Sequence, residues 1–222
     1  TAITVAPAWA NCRAPAAPVS VIARSGLVLV VAPGSTVRTV ADLTALARQR
    51  QGKLTFGSGS SSSRVAGEMF QQMAGIELLH VPYKSNPLAI NDLLGGQINM
   101  MITDMATGLP QVKGGKVRAL GVSTQNRSPL TPDLPTISEA GLKGYDMSFW
   151  FAAYVPAGTP PAVVSRLHDI LVEASKGAAM QSFYSGTGTE PYTTSPADLA
   201  KFQLAESDKW KSIIGKAGIE PE

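Results

Sequence analysis

The chain has 222 residues, of which 44% are hydrophobic and 16% charged, with a formal net charge of +3. That balance excludes an intrinsically disordered chain, and lysines and arginines scattered without a basic stripe exclude a nucleic-acid binder. A single cysteine, Cys12, excludes an intrachain disulfide and a Cys-based metal finger.

The N-terminal stretch Thr1–Pro18 is rich in Ala and Pro and has no basic segment followed by an apolar one, so it does not read as a signal peptide. It reads as an atypical arm, a linker or a truncation scar. From Val19 onward, strand-like and helical patterns alternate. Val19–Ala23 and Leu27–Val31 are predicted strands, stopped by Pro33-Gly34. The aliphatic run Leu27–Ala32 is far shorter than the ~20 residues a membrane helix needs. Thr39 and Asp42 form an acidic capping box for a helix whose apolar face is Val40, Leu43, Leu46 and Ala47. Leu54–Phe56 is a short strand running into Gly57-Ser58-Gly59-Ser60-Ser61-Ser62-Ser63. A helix follows, with Val65, Met69, Phe70 and Met73 on one face and Gly75 at its end.

Glu77–Pro82 is the next predicted strand. Asn86 reads as the N-cap of a helix with Pro87 at its first position, ending at Gly95-Gly96. Ile98–Ile102 is a strand with Thr103-Asp104 at its carboxyl end, and a helix runs from about Ala106 to Lys113. Val117–Ser123 is a strand, Thr136 and Glu139 make a second capping box on a short helix, and Tyr145–Val155 is a long strand. Thr159-Pro160 opens a helix with the stripe Val163, Val164, Leu167, Ile170, Leu171 and Ala174. Ser195-Pro196 opens the last helix, with Leu199, Phe202, Trp210, Ile213 and Ile214 facing inward. Strands separated by helices of ten to fifteen residues imply βαβ crossovers and parallel-rich α/β sheets, with ligands outside the carboxyl ends of the strands.

Gly57–Ser63 is the segment with the most chemistry. Small residues let a ligand approach the backbone, and the first N–H groups of a helix have no partner in their own helix. Such a cradle suits an anion, most simply a carboxylate; a flexible connector with one capping Ser is the alternative. GxxxxGK[ST], GxGxxG and GxSxG are all absent. The two histidines, His80 and His168, form no HExxH pair, and no metal, cofactor or catalytic residue is assigned. Tyr83-Lys84 reads as cleft or surface turn, Asp104 as ligand acceptor or helix cap, and Arg64 as carboxylate partner or exposed cation. Phe149, Trp150 and Phe151 read as cleft wall or core.

These residues carry a resemblance. The stretches GKLTFGSGSSSSRVAGEMFQQMAGIELLHVPYKSNPLAINDLLGGQINMM, LPQVKGGKVRALGVST, RSPLTPDLPTISEAGLKGYD and WFAAYVPAGTPPAVVSRL resemble the solute-binding receptors of tripartite tricarboxylate transporters, the Bug family. The resemblance implies a periplasmic-binding-protein-like fold of type II, a two-lobed Venus flytrap, in a periplasmic protein that is no enzyme. It would deliver a small carboxylate to a membrane permease, or be read by a sensor kinase. Implied ligand residues are Gly57, Ser58, Gly59, Ser60, Ser61, Ser62, Ser63, Tyr83, Thr103, Asp104 and Trp150. Residues 19–26 would approach the hinge, 27–148 form lobe two and 149–222 return to lobe one. Val28–Val31 and Trp150–Val155 would cross between lobes.

Two departures matter. The serine loop is shorter than in the family pattern, with Arg64 where His is frequent. The opening strand and PFPPGG-like loop of lobe one are not found, so lobe one is expected to be incomplete. Losing two or three charge-assisted hydrogen bonds would remove roughly 3–9 kcal/mol of binding. Apolar faces left open would favour self-association. Two further readings stand: an effector module like those of LysR-type regulators, and a nonfunctional fragment.

Overall fold

A computed structural model describes residues 16–219. Most of the Ala/Pro-rich arm, with Cys12, lies outside the described residues; Ala16–Pro18 open the first strand. The chain divides into two compact units, one of Gly26–Ser148 and one of the residues up to Ser25 together with those from Phe149 on. Its passages fall at Ser25–Gly26 and Ser148–Phe149. Val28–Val31 and Trp150–Val155, expected to cross, therefore each lie within one unit.

The two strands predicted at the start are one, β1 (Ala16–Val31). Arg24, Ser25 and Gly26 interrupt the apolar pattern but not the extended backbone. They mark a change of partners: Ala23–Ser25 pair with β7 (Thr189–Pro191), whereas Leu27–Val31 pair with β4 (Met100–Asp104).

In the larger unit, Thr39 caps α1 (Val40–Gln49) as its sequence predicts. Its hydroxyl accepts the Asp42 N–H and the Asp42 carboxylate accepts the Thr39 N–H, both at 3.0 Å. β2 (Thr55–Ser58) leads into α2 (Ser61–Ala74), which closes on Gly75 at φ +60°, the left-handed conformation that glycine adopts without strain. β3 (Leu79–Pro82), α3 (Asn86–Leu94), β4, α4 (Met105–Lys113) and β5 (Arg118–Val122) follow. The sheet order is β3-β2-β4-β1-β5. β2 is parallel to β3 and β4, and β1 runs antiparallel to β4 and β5, so the βαβ reading holds for all but β1. Leu27, Leu29, Phe56, Phe70 and Met101 are fully buried, each worth ~1.5–3 kcal/mol. The Thr136–Glu139 box makes its reciprocal bonds at 3.0 Å around a single turn rather than a helix.

In the smaller unit, β6 (Ser148–Pro156) and β7 pair with β1, and α5 (Pro161–Lys176), α6 (Ala178–Thr187) and α7 (Pro196–Lys216) complete it. Leu199, Ile213 and Ile214 of α7 are buried as predicted, while Phe202 and Trp210 are half-buried. The stripe predicted for α5 is largely open: Val163 and Ile170 are exposed and Ser175 alone is buried.

Candidate functional site

β2 connects through α2 to β3 on one side, while β4 leads through α4 toward β5 on the other. The carboxyl ends of β2 and β4 are therefore a topological switch point, where open α/β sheets form a crevice. The serine segment lies at this point.

Its residues divide by direction. Gly57 and Ser58 finish β2 and are buried; the Ser58 Oγ lies 2.7 Å from His80 Nε2 on β3. Gly59 is pressed against the start of α3, where an added Cβ would lie 1.9 Å from the Ser85 carbonyl carbon. Ser60 is the N-cap of α2, and its Oγ accepts the Ser63 N–H at 3.2 Å. Ser63 points inward, its hydroxyl donating to the Ile102 carbonyl of β4. That leaves Ser60 and Ser61 exposed and Ser62 half-buried, at a helix start whose first turn holds no acidic residue. The positive end of this helix is thus uncompensated by its own sequence.

Asp104 caps α4. Its carboxylate accepts the Thr107 N–H at 2.7 Å and the Thr107 hydroxyl at 2.9 Å, and Thr103, fully buried, donates to it at 3.4 Å. Tyr83 turns its hydroxyl to Asp92 of α3 at 2.8 Å; burial first, then that carboxylate, push its pKa up to about 12. Arg64 pairs with buried Glu68 at 2.7 Å, and burial lowers its pKa against the pull of that carboxylate. Trp150 belongs to the smaller unit and packs edge-on against Phe202, with ring centres 5.3 Å apart. So Ser60, Ser61, Ser62 and Asp104 gather at the switch point, while Tyr83 and Arg64 are occupied by partners of their own.

Asn86 was misread by its sequence. The N-cap of α3 is Ser85, and Asn86 begins the helix proper. Its side chain turns to the cradle, accepting the Gly59 N–H at 3.0 Å and donating to Ser60 Oγ at 3.3 Å and Asp104 Oδ2 at 2.7 Å. An Asn before Pro signals a helix start in either register, so no local signal separates the two.

A cavity of about 620 Å³, lined in part by Lys113, Arg118, Leu130 and Asp133, opens at the opposite end of the sheet, near Pro33 and the start of β5. Among the described residues no group of three His, Cys, Asp or Glu is placed to hold a metal.

Comparison with known proteins covers nearly the whole chain. The family described as "Tripartite tricarboxylate transporter family receptor" matches residues 8–219. A UPF0065 protein encoded between tcbD and tcbE in Pseudomonas sp. (strain P51) is 34% identical over 200 residues, 89% of this chain and 60% of that protein. BugT of Bordetella pertussis is 30% identical over 205 residues, 91% of this chain and 63% of its own length. Among solved structures, R. palustris Rpa4515 with adipate superposes with a TM-score of 0.82 at 34% identity, over 93% of this chain and 70% of that one. Periplasmic binding protein BugD gives 0.78 at 26%, over 94% and 71%. The chain spans 54–63% of the length of the first curated relatives it matches.

Proposed function

The chain belongs to the tripartite tricarboxylate transporter receptor family, and from that premise we propose that it is a periplasmic solute receptor whose larger unit holds a carboxylate of a small organic acid at Ser60–Ser62. The family and the structural neighbours are solute-binding receptors with a mixed α/β, periplasmic-binding-protein-like fold, not enzymes. The observation that carries the reading is the start of α2: exposed, serine-lined, without an acid of its own, and set at the switch point of the sheet. Two N–H groups and a hydroxyl there offer charge-assisted hydrogen bonds of ~1.5–3 kcal/mol each. The adipate carried by a structure 34% identical to this chain supports a dicarboxylate as the first probe. No helix among the described residues is long and apolar enough to cross a membrane. The liganded state would be read by a tripartite-type permease or a sensor kinase.

Calorimetric titration with adipate, malate and benzoate tests the reading, with Ser62→Asp as the informative variant. A carboxylate in the first turn complements the helix dipole and stabilises the fold by ~0.3–1 kcal/mol. The same charge would repel a bound acid and weaken its affinity at least tenfold. Absence of binding by every acid, or a Ser62→Asp variant that binds as well as the parent, would sink the proposal.

A further inference from the structure

Building on the carboxylate reading of the cradle, we infer that Asn86 is its positioning residue, the side chain that holds three helix starts in register and makes the Ser60 hydroxyl a donor. The helix starts are those of α2, capped by Ser60, of α3, which Asn86 itself opens, and of α4, capped by Asp104. Asn86 is buried and touches all three. A primary amide has one carbonyl oxygen and two N–H hydrogens. The oxygen takes the Gly59 N–H, and the two hydrogens go to Ser60 Oγ and Asp104 Oδ2. The flipped amide would set N–H against N–H at Gly59 and carbonyl against carboxylate at Asp104. Only one orientation satisfies every partner.

The consequence for Ser60 follows from counting. A hydroxyl accepts two hydrogen bonds and donates one. Ser60 Oγ accepts from Ser63 N–H at 3.2 Å and from Asn86 at 3.3 Å, so its acceptor capacity is filled. Its own hydrogen is left for Ser62 Oγ, 3.2 Å away, or for the space beyond. A cradle presenting donors favours a ligand that is purely an acceptor, as an ionised carboxylate is. Asp104 does not spoil this, because its negative charge is already met by Thr107, Thr103 and Asn86.

The test uses the whole chain, adipate as probe and the near-isosteric variant Asn86→Asp. The substitution replaces a donor with an acceptor 2.7 Å from the Asp104 carboxylate. Two carboxylates that close share one proton, and the second ionises only at raised pH. Adipate affinity of the variant should fall by roughly tenfold or more as pH rises and that proton is lost, and approach the parent value at the acid end. The parent, whose Asn86 amide has no proton to lose, should change less over the same range. The groups facing the pair are Ser60 from α2, Thr103 from β4 and Thr107 from α4, none of which titrates there; Arg64 pairs with Glu68 and Tyr83 with Asp92, while His80, 2.7 Å from Ser58 Oγ, and exposed Lys84 on the β3–α3 turn are common to parent and variant. A flat profile in Asn86→Asp with parental affinity would overturn the inference. Hydrogen exchange at the Gly59 amide reads the same brace without any ligand. It should be protected in the parent and accelerated in Asn86→Ala; equal rates would overturn the brace. Should the parent bind no acid, the carboxylate reading fails, and the Gly59 exchange still decides for or against Asn86 as the brace.

Discussion

Gly59 shows how little freedom the cradle has. A methyl group there would lie 1.9 Å from the Ser85 carbonyl carbon and 2.2 Å from the Asn86 nitrogen, both backbone atoms that no rotamer change can move. Gly34, by contrast, has nothing within 4 Å of its absent Cβ. Gly59→Ala should therefore cost about 3 kcal/mol in denaturant unfolding and abolish adipate binding, since the two loops must separate. Gly34→Ala should fall within about 0.5 kcal/mol of the parent. A Gly59→Ala chain of parental stability would show that the loops do not pack as described. At this scale the sequence was legible in part. Gly and Ser between a strand and a helix announce either a backbone cradle or a connector with one capping Ser, and Ser60 does cap the helix. The bond from Asn86 to Gly59 joins positions 27 apart in sequence, and nothing local to either residue announces it. Tyr83, read as cleft or surface turn, is hard to read for a related reason: the hydroxyl's bond to Asp92 of α3 has no local signal at Tyr83.

Elements whose ends are written in side chains were the most legible. The α1 start needs a hydroxyl at the cap and a carboxylate three residues on, and Thr39 and Asp42 supply both. The Arg38 N–H first, then the Thr39 hydroxyl and N–H, hold the Asp42 carboxyl below its ordinary value of 3.8 against desolvation. A carboxylate with a depressed folded pKa contributes stability that is whole above the unfolded value and is lost as pH falls through the folded one. Acid unfolding should accordingly be less steep below about pH 4 in Asp42→Asn than in the parent. Thr39→Ala should cost about 1 kcal/mol at neutral pH. Identical acid profiles for parent and Asp42→Asn would show that the box is not closed in solution. Where an element depends on distant pairing, the pattern misled. β1 reads as two strands because Arg24-Ser25-Gly26 breaks the apolar alternation, yet Ala23–Ser25 find β7, more than 160 residues on in the sequence, and stay extended. The Thr136–Glu139 box carries the same cap chemistry as α1 but makes only a turn, since Gly141 and Gly144 follow at positive φ.

For the molecule as a whole, the two units differ in how fully they cover their own apolar side chains. In Gly26–Ser148, the strands β1, β2 and β4 are buried along most of their length. In the smaller unit, no residue of β6 is fully buried, Phe151 is 52% exposed and Ile170 is 48% exposed. Phe183 and Leu204 are exposed as well. An amphipathic helix such as α5 has an apolar stripe in order to bury it, and each large side chain left in water forgoes ~1.5–3 kcal/mol. Exposed apolar side chains of this size favour association where they form a patch. Sedimentation of the 222-residue chain should show self-association that rises with concentration and strengthens with salt, because apolar contact is not screened as charge is. The double variant Phe151→Ser, Ile170→Ser should shift the chain toward monomer and reduce its binding of an apolar dye. Those substitutions lie in the smaller unit and Ser60–Ser62 in the larger. A parent chain that stays monomeric at high concentration and leaves the dye dark would mean that these faces are covered in solution.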